Sequence, residues 1–357
     1  PYDRVYARPG GAAIYESHYV KANAPRGAKG RSGPAFWIKT NLLVPRDPDL
    51  QPLVESWFVL WRRRGEAPLV IKGSRPMSSV HLTESGLRIQ GADLLFCDRE
   101  ARGRIEDSGH EVSWRLRWES QEDALIHYPS WLFYRLGFPK KKILTPSPLA
   151  VFSGELRVDG ELVSVSGWKG ARGHHWGSEH AHQYAYGSAL AWPTKSRDAA
   201  ATRGDVPALC LDGFSARVQV AGIQSPLLSL LVGRLRGRAG DLSFNAPSRW
   251  WNRSARVVFP EWRVTYEGPA GRLRTEWSLD PAEVAGLRYL HPDGRVSYCY
   301  STKYARLRAV LDPASGGIGG AWQTDEADLE FLQDQPISGV PLVGDERIPS
   351  LPTAALN

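Results

Sequence analysis

The feature that most constrains this chain is a side-chain alternation with a period of two, sustained along much of its length. From Phe36 onward, Phe36, Ile38, Leu42 and Val44 fall on one face. From Glu111 to Ser120 the pattern is cleaner. Val112, Trp114, Leu116 and Trp118 share a face, while Ser113, Arg115, Arg117 and Glu119 share the other. Alternate residues of a β-strand point to opposite sides, so each run reads as a strand with one side in a core. Val257 and Phe259 repeat the pattern, Pro260 breaks it, and Trp262, Val264, Tyr266, Thr275 and Trp277 resume it. Asp159–Gly160, Asp212–Gly213 and Asp293–Gly294 read as tight hairpin turns, since Asp and Gly tolerate the positive φ such turns demand. With 35 glycines and 26 prolines spread along the chain, long helices are nearly excluded. Many short antiparallel strands remain, so the expected fold is all-β, a barrel or a sandwich.

A chain of 357 residues can bury one large core or two ordinary ones. The polar, Ala-rich run that follows Trp192–Pro193 reads as a linker or long surface loop. That predicts an N-terminal barrel over 1–190, a C-terminal barrel over 191–345 and a tail over 346–357. No tandem repeat is visible at residue level. Pro1 is not a natural start, so processing or trimming is expected ahead of it.

Composition narrows the function classes. The formal charge is +7, but the basic residues are scattered through strand-like segments, so nucleic acid is not an expected partner. Cys97, Cys210 and Cys299 are odd in number and far apart, which suggests neither a disulfide framework nor a zinc knuckle. A cytoplasmic location fits, and a periplasmic protein with few cysteines would look the same. There is no Walker-type loop, no GxGxxG opening a helix and no Gly-x-Ser-x-Gly elbow, which disfavours kinases, dehydrogenases and α/β-hydrolases. No cofactor is expected. Two segments, 127–148 and 223–240, set apolar residues beside Lys140, Lys141 and Lys142, or beside Arg234, Arg236 and Arg238. That composition suits peripheral contact with an anionic membrane. A loop folded over a barrel mouth, with its cations in water, is the preferred reading. Oligomeric state is not legible.

Four of the nine histidines, His174, His175, His180 and His182, crowd into one Gly-flanked stretch. On a strand His180 and His182 would share a side and could ligate zinc, but His174 and His175 diverge and no carboxylate or cysteine completes the set; no metal is expected. An imidazole titrates near neutral pH, and a carboxylate in an apolar pocket is pushed up into the same range. His174, Glu16, Glu179 and His180 are therefore the candidate catalytic residues. Trp37, Trp57, His175, Trp176, His182, Tyr184 and Tyr186 are the candidates for holding a ligand. Gly173 and Gly177 leave a structural alternative, in which the backbone turns sharply or approaches another strand closely and the histidines merely tie down backbone carbonyls. Fourteen tryptophans against one methionine suit a rigid aromatic pocket, although most of them are expected in cores.

The run Arg172-Gly173-His174-His175-Trp176-Gly177, followed by Tyr184 and Tyr186-Gly187, resembles the Gly-rich His-Asn-Trp-Gly motif of one superfamily. It contains the carotenoid 1,2-hydratases, the AttH-like proteins and, more distantly, tocopherol cyclase and lipocalin-like Diels-Alderases. Tyr15 to Pro25, then Phe36-Trp37, is similar to its opening strand. The resemblance covers the first half of the chain. It implies two lipocalin-like barrels packed together, a pocket in or between them, and cofactor-free chemistry on polyene or isoprenoid substrates. His174 would match the motif's histidine and Trp176 its tryptophan, whereas His175 stands where relatives carry asparagine. The aspartate that serves as acid in the carotenoid hydratases has no evident counterpart. The function read from the sequence is a hydratase, cyclase or isomerase acting on an unsaturated hydrophobic small molecule. The alternative is a lipid or pigment carrier using the same pocket. Both need the imidazoles of this stretch to look into a dry chamber.

Overall fold

The computed structural model describes residues 3–27, 30–83, 86–91, 93–194, 208–220, 223–236, 238, 240–317 and 319–351. The chain is all-β, as the alternation predicts, and forms two large antiparallel sheets. The backbone order of the first runs Leu69–Pro76, Leu53–Trp61, Ala35–Val44, Ile14–Asn23, Glu161–Gly177, Lys141–Val158, His110–Ser120 and Glu100–Asp107, with short strands beyond. The second runs Leu228–Leu235, Leu209–Arg217, Gln183–Pro193, Gly320–Gln333, Val296–Pro313, Gly271–Ser278 and Glu261–Gly268 between short outer strands. The connection order is the same in both. An opening strand pairs with the next strand on one side and with a much later long strand on the other. The repeat is topological, which is why residue-by-residue comparison misses it.

Each sheet curls on itself. A methyl group at Gly73 would lie 3.0 Å from Ile105, so the strand Leu69–Pro76 meets Glu100–Asp107 across the curl. Right-handed strand twist drives this curl, and side chains on the concave face fill it. Val20, Phe36, Ile38, Phe58, Trp114 and Phe152 build one core; Leu211, Leu231, Trp262, Trp277, Leu307 and Trp322 build the other. A third buried cluster lies between the sheets and holds Trp37, Trp57, Trp61, Tyr184, Tyr186 and Tyr289 among others. All ten residues of Ala35–Val44 are buried, because its inner face packs in its own sheet and its outer face packs on the other.

One expected turn needs correction, and the structure adds detail at the boundary and the tail. Asp159 and Gly160 form the predicted turn with φ of 52° and 83°, but Asp212–Gly213 lies in the middle of Leu209–Arg217. A buried aspartate with hydrogen-bonding partners, described below, uses the same dipeptide for another purpose. The change of sheet falls between Gly177 and Gln183, ahead of the boundary read at 190/191. The run after Pro193 joins two strands that pair with each other, and its residues 195–207 lie outside the described ones. A hairpin connection and an interdomain linker have the same composition. The tail read at 346–357 starts against the first sheet: Ile348 is buried with Tyr15, Leu43 and Leu53, and Ser350 bridges to Leu50. Residues 352–357 lie outside the described ones. No helix among the described residues is long and apolar enough to cross a membrane.

Trp262 is fully buried, stacks on Trp277 at 5.2 Å and donates its ring N–H to Ser215 at 2.9 Å. Trp262→Ala should cost about 3–5 kcal/mol in urea unfolding, since a large cavity remains. Trp192→Ala, at an exposed ring, should stay within about 0.5 kcal/mol.

Candidate active site between the sheets

The opening strand Ile14–Asn23 sorts the chemistry. It pairs with Glu161–Gly177 so that Glu16 faces Trp176, Ser17 faces His175 and His18 faces His174. Successive side chains diverge, so Glu16, His18 and His174 enter the first sheet's interior. Ser17, Tyr19, Lys21 and His175 enter the layer between the sheets. The adjacent imidazoles His174 and His175 thus serve two different places.

The first place is a sealed cluster. Glu16, His18 and His174 have no exposed surface. Glu16 Oε2 accepts the backbone N–H groups of Tyr6 and Ala7, both at 2.7 Å, and Oε1 accepts from His174 Nε2 at 2.8 Å and His18 Nε2 at 3.2 Å. The two imidazoles stack at 4.1 Å, and Trp176 covers His174 at 4.4 Å. Burial alone would raise the Glu16 carboxyl, but the hydrogen bonds from His174 and His18 outweigh it and hold it well below the usual carboxylate range. Burial and the neighbouring His174 push His18 down to about 3. The three ligand atoms lie within 4.8 Å of one another, close enough to surround a metal ion. As they stand, the carboxylate is saturated by four donors, a geometry that braces the N-terminal segment. Glu16 and His174, read from the sequence as a catalytic pair, do come together, but on the face turned away from the inter-sheet layer.

The second place is a cavity. Between the sheets an apolar chamber of about 170 Å³ is lined by Tyr128, Ile143, Phe214, Leu228, Leu230 and Trp250, among others, with Phe138, Pro139 and Glu179 also on its wall. It adjoins a narrow polar extension of about 20 Å³ lined by Tyr19, Trp37, Lys39, His175, Tyr289 and Glu330. Lys141, His180, Tyr184 and Tyr186 line both. A wider depression of about 670 Å³, walled by Arg26, Glu261, Arg263 and Glu276, is more open and holds none of the histidines.

A hydrogen-bonded chain backs the polar end. Asp212 is 1% exposed and accepts from His127 Nε2 at 2.8 Å, Thr145 Oγ1 at 2.8 Å and Tyr186 Oη at 3.0 Å. Because Tyr186 donates to Asp212, its oxygen accepts from Tyr19 at 2.9 Å, and Tyr19 in turn accepts from His175 Nε2 at 3.1 Å. This direction makes His175 the Nε2–H tautomer and leaves Nδ1 as an acceptor. Burial, with Lys141 and His127 nearby, keeps His175 well below its ordinary value and hence neutral; burial and Lys141 do the same to His180. Burial and the Asp212 charge raise the hydroxyls of Tyr19 and Tyr186, which stay protonated. Burial pushes the Lys141 ammonium down to about 8 while it rests over the Tyr184 ring at 4.2 Å. Tyr184 donates to Glu330. Behind them Asp328 bonds both Lys21 and Lys303, which hold it ionised against its burial.

The remaining sequence candidates divide. His180 stacks on Tyr15 at 3.7 Å and lines the cavity, as do Trp37, Tyr184 and Tyr186. Glu179 sits at the chamber wall in an ion pair with Lys140 at 2.7 Å. Trp57 is buried beside Tyr289 and Lys72. His182 points elsewhere, to Asp334 at 2.8 Å. The three lysines read as one basic cluster part company: Lys140 pairs with Glu179, Lys141 enters the cavity and Lys142 binds the carbonyls of Leu136 and Pro139. In the second basic segment Leu228, Leu230, Leu231 and Val232 are buried strand residues. Sequence reasoning missed Tyr19, Lys39, His127, Lys141, Asp212 and Glu330. The one available signal was the outer face of Ala35–Val44, where Trp37, Lys39 and Asn41 mix polar and aromatic groups instead of presenting plain surface charge.

Two solved structures align with nearly the whole chain. One is an AttH-designated protein from Nitrosomonas europaea, 13% identical, with a TM-score of 0.48 over 91% of this chain and 93% of that one. The other is kievitone hydratase from Nectria haematococca, 9% identical, with a TM-score of 0.46 over 92% and 93%. The likeness is distant and concerns the fold. No family model matches the sequence, and no curated protein matches it.

Two outcomes follow from this geometry. Glu16→Leu should lower the unfolding free energy by about 3–5 kcal/mol, because both imidazoles and two backbone N–H groups lose a buried acceptor. For Lys141 the sign runs the other way. Its buried charge is a full burden below pH 8, and the burden is relieved as pH climbs from about 8 toward the ordinary 10.5, where the unfolded chain still keeps its proton. Lys141→Met should therefore stabilise the protein near pH 7 by up to about 3 kcal/mol, with the gain fading above about pH 10, as urea titrations at several pH values would read.

Proposed function

We propose that this chain is a cofactor-independent enzyme that hydrates, or otherwise rearranges, a carbon–carbon double bond of a hydrophobic small molecule held between the two sheets. The observation that carries this reading is the junction of an apolar chamber with titratable groups in one buried layer, where Lys141, His180, Tyr184 and Tyr186 serve both. A passive container for greasy ligands has little use for an amine and imidazoles that are costly to bury.

In a hydration, the Lys141 ammonium gives its proton to one alkene carbon while water adds through oxygen to the other. The proton that water loses passes to Nδ1 of His175. The chain from His175 through Tyr19 and Tyr186 to the Asp212 carboxylate stabilises the imidazolium that forms. The faces of Tyr184 and Tyr186 favour a developing carbocation. Proton exchange with solvent restores both groups, and the net change is one added water. If an alkene or a neighbouring carbon reaches the cation before water, loss of a proton to the same histidine gives isomerisation or ring closure. Lys141 suits the donor role because its pKa lies close to working pH.

The test uses isotopically labelled water. The protein is incubated with unsaturated terpenes, polyenes and prenylated phenols, and products heavier by one labelled water are sought by mass spectrometry. His175→Ala should slow turnover by about 10²–10⁴-fold, and Tyr186→Phe by at least about tenfold. Undiminished turnover in His175→Ala would remove the histidine from the mechanism.

A carrier remains the second reading, favoured by one observation. Trp131, Leu132, Leu136 and Phe138 are exposed together in the segment whose Phe138 also lines the apolar chamber. Exposed apolar groups at a chamber wall suit transfer of a ligand from a lipid surface. On that reading a lipid should co-purify with the protein, and flotation with liposomes should weaken in Leu132→Ser/Phe138→Ser.

A further inference from the structure

The polar end of the cavity holds an ammonium without a counter-ion. Lys39 is 6% exposed, its Nζ lies 4.0 Å from the centre of the Tyr289 ring, and it makes no hydrogen bond or ion pair among the described residues. Its neighbours are already engaged. Asp328 is shared by Lys21 and Lys303. Glu55 is taken by Lys72 at 2.5 Å and by Asn41 at 2.6 Å. Glu330 accepts from Tyr184 and is the single remaining carboxylate for both Lys39 and Lys141. With Asp328 given to Lys21 and Lys303, the two lysines that line the extension, Lys39 and Lys141, share the single carboxylate of Glu330. A buried cation without an anion is costly, and an aromatic face offsets only part of that cost. Beside it, His180 lines the same extension and leaves its buried Nδ1 without a partner. The protein therefore holds one positive charge and one free imidazole nitrogen ready for a group that is absent.

The size of the space limits that group. The extension, about 20 Å³, admits a head of very few atoms, whereas the apolar chamber of about 170 Å³ takes a compact hydrocarbon body. We infer that the ligand is an unsaturated carboxylic acid whose carboxylate pairs with Lys39 and hydrogen-bonds His180, its hydrocarbon part lying against Phe214, Leu230 and Trp250. That this ligand is a substrate rests on the hydratase reading; that it is an anion rests on Lys39 alone. Lys39 acts here as a binding residue, and Lys141 keeps the proton-transfer role.

Binding is measured with two probes of one carbon skeleton, geranate and geraniol, by tryptophan fluorescence and calorimetry on the intact chain. The wild type should prefer the acid by at least about tenfold, the usual worth of a charge-assisted pair in a dry site. Lys39→Met should bring that preference below about threefold, while Lys39→Arg, which keeps the charge, should retain most of it. Unfolding curves show that each variant is folded. Equal affinity for acid and alcohol, a preference that survives Lys39→Met, or no binding of geranate up to about 1 mM would each overturn the inference. The readout involves no turnover. Selective geranate binding without incorporation of labelled water would leave the anion site standing and sink the catalytic reading alone.

Discussion

Burial on both faces is the constraint from which the rest of this structure follows. A curled sheet closes one face over its own core, and here the other face is closed by a second sheet of the same connection order. Residues on the outer faces of the central strands, which in a lone barrel would meet water, must find partners inside the protein. Lys21 finds Ser188 and Asp328, Asn41 finds Ser17 and Glu55, and Tyr19 finds His175 and Tyr186. The polar network is thus a direct consequence of packing two half-open barrels face to face. Where its partners run short, at Lys39, Lys141 and His180, the network opens into a cavity.

The two faces of a single strand carry two separate polar clusters. On the inner face Glu16 gathers four donors and pins the segment at Tyr6 and Ala7 to the sheet. On the outer face, one residue out of phase, Tyr19 belongs to a hydrogen-bonded chain that runs from the cavity to Asp212. The glycines of the motif fit this division. At Gly173 a side chain would collide with the Tyr19 ring, and at Gly170 with the Lys21 carbonyl, so close strand contact there depends on the missing Cβ. The Gly-rich character of the stretch therefore reflects how tightly it seats against the opening strand, and the imidazoles ride on that seat.

Asp212 illustrates how one dipeptide can carry two meanings. Asp-Gly is a turn signal because both residues accept positive φ, and Asp159–Gly160 uses it so. In Leu209–Arg217 the same pair is extended; the aspartate receives three hydrogen bonds from distant parts of the chain, and the glycine lets the neighbouring strand approach. No local rule distinguishes the two cases, because the donors His127, Thr145 and Tyr186 are remote in sequence. Lys140, Lys141 and Lys142 make the same point. They look like a surface patch, yet strand geometry and loop closure send them to three separate environments.

By itself the sequence determined the all-β class, most strand positions and the concentration of imidazoles before the second sheet. These are local properties, written in period-two alternation and in residue types that favour extended backbone. It also indicated that His174 and His175 would diverge, although the strand Glu161–Gly177 that separates them reads in sequence as a Gly-flanked turn. Only the tertiary structure decided which of the two meets the cavity, that Glu16 belongs to a sealed cluster, and that Lys39, Lys141 and Glu330 line one cavity with His175 while Asp212 stands behind it. The physical reason is that a strand's pattern says which residues share a face but not what covers that face. Here the covering is a second sheet, and it turns what looks like solvent-facing sequence into a buried polar site.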